Sequence, residues 1–118
     1  MKWLLGSKKR GTTSKADLDH GTLRQLAAAG ADLAKPTDVI NYLYLPDERQ
    51  AQVASAELRL AGYSVEVRPA ATGVNWLALA RIDVVPSADN IRLLRERFDG
   101  LAARLGGEFD GWEAAVTK

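Results

Sequence analysis

Along the chain the spacing of apolar side chains changes period several times, and each change marks an element. "DVINYLYL" (38–45) is β-branched and aromatic, with Ile40, Tyr42 and Tyr44 on one face and Val39, Leu43 and Leu45 on the other. Apolar residues on both faces predict a central strand, closed by Pro46. Asp47 then caps a helix over about 48–61, where Ala51, Ala54, Leu58 and Ala61 recur at helical spacing before Gly62. "YSVEVR" (63–68) alternates Tyr63, Val65 and Val67 against Ser64, Glu66 and Arg68, which predicts a half-buried strand. "NWLALARIDVV" (75–85) predicts a second long strand, ended by Pro86. Ser87 caps a helix over 88–105 with an apolar face of Ile91, Leu94, Phe98, Leu101, Ala102 and Leu105. Arg92, Arg95, Glu96 and Asp99 fall on its wet side. Gly106-Gly107 stops this helix, and 108–116 forms a last strand. Ahead of this set, a helix over about 16–29 is expected, opened by Ser14 and Asp17 and weakened by Gly21. Leu23, Leu26 and Ala27 make its short apolar face.

The order after residue 37 is strand, helix, strand, strand, helix, strand. This predicts an α+β, ferredoxin-like βαββαβ sandwich preceded by the N-terminal helix. Right-handed crossovers put both helices on one face of a four-stranded antiparallel sheet of order 4-1-3-2. The two long apolar strands take the centre, with "YSVEVR" at one edge and the closing strand at the other. A tryptophan so near the chain end implies that the last segment is docked, because untethered ends fray. Gly106 and Gly107 permit a left-handed helix end and a tight reversal. Gly111, inside the strand, predicts a bulge that re-aims Trp112.

Composition narrows the classes. The 118 residues fit one domain, with 47% hydrophobic and 26% charged residues, an ordinary globular balance. With no cysteine, disulfides, thiolate metal sites and cysteine nucleophiles are excluded. No apolar run approaches the ~18 residues of a membrane span, and "MKWLL" lacks the length of a secretory signal. A cytoplasmic protein is expected. The net charge of +1 hides an asymmetry. Residues 1–15 carry Lys2, Lys8, Lys9, Arg10 and Lys15 and no acid, whereas the remaining residues hold an excess of acids. Residues 1–15 therefore read as a basic arm or linker, and 16–118 as a single, mildly acidic domain. An acidic body is the wrong sign for a nucleic-acid platform.

Candidate chemistry is sparse. The lone His20 lies among acids, away from the core elements. Glu108 and Asp110 could share a strand side, and Asp47 and Glu48 open a helix where acids favour the dipole. "LGGEFDG" follows a helix and precedes a strand, the wrong setting for a phosphate loop. No catalytic, cofactor or metal site is expected. Tyr42, Tyr44 and Trp76 could stack bases on the sheet, though the basic, aromatic third-strand pattern of RNA-recognition motifs is missing. Tryptophan, tyrosine and arginine are also the usual anchors of protein interfaces. Tyr63, Trp76 and Trp112 are candidates, with Trp3 as a fourth.

The run "LAAAGADLAKPTDVINYLYLPDERQAQVASAEL", then "AGYSVEV", Trp76, "VVPSADNI" and "LAARLGGEFDGWEAA", resembles the regulator of ribonuclease E activity B family. The likeness covers about 23–116 and is most specific at "GGEFDGWEA". It implies a ferredoxin-like domain without catalytic activity, acting as a protein inhibitor that binds the endoribonuclease ribonuclease E and alters RNA decay. Asp110, Gly111 and Trp112 match the family's closing motif, and Gly62-Tyr63 the motif opening the second strand. The basic arm lies outside the pattern. The expectation is a non-enzymatic, protein-binding regulator of a ribonuclease E-like enzyme. Its candidate binding or motif residues are Tyr63, Trp76, Asp110, Gly111 and Trp112. The alternative is a single-stranded RNA-binding module using the sheet face and the basic arm.

Overall fold

The computed structural model describes residues 3–7, 15–71 and 73–118. Its elements in chain order are β1 (Trp3–Ser7), α1 (Lys15–Ala28), β2 (Thr37–Leu45), α2 (Glu48–Leu60), β3 (Ser64–Pro69), β4 (Trp76–Val84), α3 (Ala88–Leu105) and β5 (Glu108–Ala115). From β2 onward this is the expected βαββαβ unit, and its strands lie in the expected order, β5-β2-β4-β3. All pairings are antiparallel. Helix boundaries follow the local chemistry. The Asp47 carboxylate accepts from the Gln50 amide at 2.8 Å, and the Ser87 hydroxyl from the Asn90 amide at 3.1 Å.

One expectation is corrected. The closing strand is not an edge strand: β1 pairs along its outer side, from Trp3 opposite Ala115 to Ser7 opposite Gly111. Part of the stretch read as an arm is thus a fifth strand. The physical reason is that β5 offers unpaired backbone groups on that side, and "WLLGS" supplies the matching ladder. The basic residues Lys2, Lys8, Lys9 and Arg10, and the cap at Ser14, lie outside the described residues.

The last strand is anchored as its tryptophan implied. β5 runs antiparallel to β2, with Val39 opposite Ala114 and Tyr44 opposite Glu108. Beyond it, Thr37 Oγ1 donates to the Ala115 carbonyl at 2.8 Å and lies 2.7 Å from Thr117 Oγ1. The Asp32 amide donates to the Thr117 carbonyl at 2.7 Å. The two glycines before the strand have different jobs. Gly106 takes the left-handed conformation that ends α3 (φ 71°), and its amide donates to the Ala102 carbonyl. Gly107 passes so close to β2 that a Cβ would lie 2.2 Å from the Tyr44 carbonyl oxygen.

Register separates the sheet into two faces, because side chains alternate. Val39, Asn41, Leu43, Leu45, Ala78, Ala80, Phe109, Trp112 and Ala114 point to the covered face, where α2 and α3 pack. The helices contribute Ala51, Ala54 and Leu58 from α2, and Ile91, Leu94, Phe98, Leu101 and Ala102 from α3. Helix α1 adds Leu23 and Leu26 to the same core and contacts β1 and α3. Its buried stripe is Asp19, Thr22, Leu23 and Leu26, and Ala27 is exposed, contrary to the face read from the sequence.

Candidate functional site

The closing motif is built into the covered side. β5 carries two residues, Asp110 and Gly111, where β2 offers one between Asn41 and Leu43. Gly111 has φ of 111°, a region that L side chains rarely enter. This is the expected bulge, and past it Trp112 turns into the core with no exposed surface. Its Nε1 donates to Asp19 Oδ1 at 2.9 Å. The same carboxylate takes a bidentate pair from Arg95, with Nε to Oδ2 and Nη2 to Oδ1 both at 2.8 Å. Asp19 and Arg95 are buried, with side chains only 6% and 7% exposed. The Arg95 guanidinium also lies over the Phe109 ring, 5.0 Å from its centroid. Phe109 stacks on Phe98 at 4.9 Å, and Phe98 meets Tyr63 edge-on at 5.4 Å. An ionic clamp therefore ties α1, α3 and β5 together, and an aromatic row continues from it to Tyr63.

Arg95 overturns the reading that put it on the wet side of α3. It sits on the apolar stripe, four residues after Ile91 and three before Phe98, and is buried because Asp19 meets it there. Burial raises the Tyr63 phenol above its ordinary pKa, against a smaller opposing pull from Arg97.

The other face of the sheet is uncovered by any described helix. Ile40, Tyr42 and Tyr44 of β2 lie half-buried there, opposite Arg81, Leu79 and Leu77 of β4. Leu77 is 5% exposed, so its neighbours close over it. Glu113 of β5 stands opposite Ile40. On the far side, Arg68 and Glu66 of β3 stand opposite Leu77 and Leu79. Trp3, half-buried, is carried to this side by its pairing with Ala115 beyond Glu113. The result is an aromatic and aliphatic centre with a charged rim.

Both arginines of that rim are engaged within it, Arg81 with Asp38 and Arg68 with Glu66 at 2.6 Å. Asp38 also faces Asp83 directly across β2 and β4. The Tyr42 hydroxyl donates to Glu113 Oε1. Burial, then this hydrogen bond and the charge of Glu113, push the Tyr42 phenol up to about 12. The Tyr44 end of the face opens into a groove of about 410 Å³, lined among others by Asn75, Glu108 and Asp110.

The five sequence-derived candidates do not come together at one surface. Tyr63 and Trp112 are buried on the helix side, and Trp76 is half-buried on that side, opposite Leu45. Gly111 is buried in the bulge, and half-buried Asp110 reaches the groove. Trp76 and the two tyrosines thus lie on opposite faces and cannot form one base-stacking platform. Glu108 and Asp110 do line one groove. His20 borders a cleft of about 240 Å³ between α1 and α3, above the Asp19–Arg95 pair. Among the described residues no group of three or more His, Asp or Glu side chains could hold a metal, and no helix is long and apolar enough to cross a membrane.

Asp19 and Arg95 are the residues that sequence reading missed. Their signal was positional: a charge of each sign, each on the buried stripe of its own helix. Among curated proteins none matches the chain. A family model described as Regulator of ribonuclease activity B matches residues 16–114, from the start of α1 to the penultimate residue of β5. That span holds the clamp, the bulge and all four strands of the βαββαβ unit, and the chain belongs to the regulator of ribonuclease activity B family.

Proposed function

We propose that this chain is a non-catalytic, cytoplasmic regulator that binds an endoribonuclease of the ribonuclease E type through a protein surface and lowers its activity on RNA. Family membership supports the ribonuclease as the target class. The observation that carries the binding role is the uncovered sheet face. Ile40, Tyr42 and Tyr44 of β2, with Leu79 of β4 opposite Tyr42, are half-buried side chains on two central strands, without a covering layer among the described residues. A rigid sheet presenting aromatic and aliphatic groups inside a polar rim is the make-up of a protein interface. On this reading Asp110, Gly111 and Trp112 serve the fold, fixing β5 from behind, and Tyr63 and Trp76 do the same from the helix side.

Direct RNA binding by the sheet is the weaker reading. Tyr42 and Tyr44 could stack bases, but Glu113, Glu66, Asp38 and Asp83 surround them and repel phosphates, and both rim arginines are already paired.

The test measures cleavage of a labelled RNA by a purified ribonuclease E-type enzyme with and without the protein. Cleavage should slow with wild type and recover with Tyr42→Ala/Tyr44→Ala, whose helical circular dichroism should be unchanged. A wild-type protein that neither binds the enzyme nor alters its rate, or that cleaves RNA alone, contradicts the proposal.

A further inference from the structure

β3 forms the edge of the sheet opposite β1. We infer that it is a self-association strand, which pairs antiparallel with β3 of a second copy of this chain about a two-fold axis at Val67. The direction of its backbone groups follows from two hydrogen bonds. Its register with β4 is unbroken from Ser64 opposite Arg81 to Pro69 opposite Trp76. The Ala70 amide continues that register, donating to the Asn75 carbonyl at 2.9 Å. Hydrogen-bonded pairs recur at every second residue of an antiparallel ladder, so Ser64, Glu66 and Arg68 turn their amides and carbonyls toward β4. Val65, Val67 and Pro69 turn theirs outward. Arg59 agrees with this: from the last turn of α2 its Nη2 donates to the Val65 carbonyl at 2.8 Å. The outer edge therefore offers the amides of Val65 and Val67 and the carbonyls of Val67 and Pro69.

These groups match themselves when the axis passes through Val67. Each Val67 amide then donates to the Val67 carbonyl of the other copy, and each Val65 amide to the other copy's Pro69 carbonyl. Nothing is left over: Pro69 has no N–H to give, and the Val65 carbonyl it would have met is held by Arg59. On the open face Glu66 falls opposite Arg68 of the second copy, and Arg68 opposite its Glu66. Within one chain the two pair with each other at 2.6 Å, so association exchanges one partner for another and strands no charge. Moving the axis by one residue sets Glu66 against Glu66 or Arg68 against Arg68, which cross-strand repulsion opposes. Charges on an edge ordinarily discourage pairing. Here opposite signs on either side of Val67 make the edge complementary to itself. Helix α2 packs on β3 and β4, and a ladder spaced about 4.8 Å places the two copies of α2 roughly 10 Å apart, a normal helix-packing distance. The axis is perpendicular to the sheet, so both open faces lie on one side of one continuous sheet.

Sedimentation velocity of the full chain over a range of concentrations tests this. Wild type should sediment as a dimer. Glu66→Arg alone and Arg68→Glu alone should each weaken association about tenfold or more, since each sets two like-charge pairs across the axis. Both side chains are exposed, so the reversals leave the fold intact. An equimolar mixture of the two variants should recover the dimer, because every pair across the axis is again of opposite sign. Native mass spectrometry with one variant isotopically labelled counts that mixed dimer. In NMR hydrogen exchange the Val65 and Val67 amides should slow as concentration rises, while those of Glu66 and Arg68, which face β4, stay protected throughout. Val67→Pro removes the central donor without breaking a bond to β4, and should abolish the dimer with helical circular dichroism unchanged. A chain still monomeric at about 0.1 mM, a dimer indifferent to both reversals, or a mixture no tighter than its components overturns the inference. So does a dimer whose Val65 and Val67 amides stay unprotected. None of these readouts involves a ribonuclease, so the proposed inhibition stands or falls separately.

Discussion

Replacing Asp19 with alanine should do more damage than any other single change to a polar residue in this domain. One carboxylate satisfies three buried donors: Arg95 Nε, Arg95 Nη2 and Trp112 Nε1. Its removal leaves a guanidinium buried without its counter-ion, which typically costs about 3–5 kcal/mol. Arg95 Nη1 already has no hydrogen-bond partner among the described residues, so the side chain has no second anchor to fall back on. The stranded indole N–H adds about 1–3 kcal/mol, less than additively because the groups share one site. The expected total is about 4–6 kcal/mol, against a whole-domain stability of about 5–15 kcal/mol. Asp19→Asn keeps an oxygen but presents an amide to the guanidinium, and should fall between alanine and wild type. In Asp19→Leu/Arg95→Met both charges are gone, so much of the loss should return. Urea denaturation followed by circular dichroism reads this as a shift in midpoint at constant slope. An Asp19→Ala protein within about 1 kcal/mol of wild type, or a double variant as unstable as the sum of its singles, would refute the clamp.

Four other outcomes follow from the geometry. Gly107→Ala drives a methyl into the Tyr44 carbonyl and should destabilise by more than about 2 kcal/mol, whereas Gly106→Ala pays only the left-handed backbone cost of about 1–2 kcal/mol; urea midpoints rank them. Trp112→Phe keeps a ring but drops the donor to Asp19, and should lose about 1–3 kcal/mol while leaving ribonuclease binding intact, checked by calorimetry on the purified complex. Tyr42 should ionise near pH 12 and not near 10. The unfolded chain releases that proton first, so stability is full below pH 10 and falls between 10 and 12; Tyr42→Phe should remove this component from the ultraviolet titration. Deleting residues 1–7 uncovers the outer side of β5, and hydrogen exchange should then accelerate at β5 amides that face β1.

The ferredoxin-like unit was readable because its signals agree. β2 and β4 are long and apolar and belong at the centre, and β3 alternates and belongs at an edge. Asp47, Ser87, Gly106 and Gly107 punctuate the helices where period alone would leave the ends vague. The bulge was readable from Gly111 inside a strand. Three things were not. β1 is five residues with little alternation, and it forms because β5 has a vacant side, a property of the assembled sheet. Arg95 read as a surface charge because its helix was judged by itself; its burial depends on the meeting of α3 with α1, where Asp19 lies 76 residues away in the chain. The open face was hidden because β2 is apolar on both sides, and only the register with β4 and β5 tells which side the helices cover. Trp76 and Trp112 drew notice as large rings, yet the half-exposed tyrosines face the open side.

The central claim is that the partner docks on the uncovered sheet face and leaves the helices and the Asp-Gly-Trp bulge untouched. Hydroxyl-radical footprinting of the protein, free and bound to a ribonuclease E-type enzyme, tests it most directly. Tyr42, Tyr44 and Leu79 should lose reactivity in the complex while the exposed Leu60 and Leu93 keep theirs. Protection of Leu60 or Leu93 with both tyrosines unchanged would contradict it.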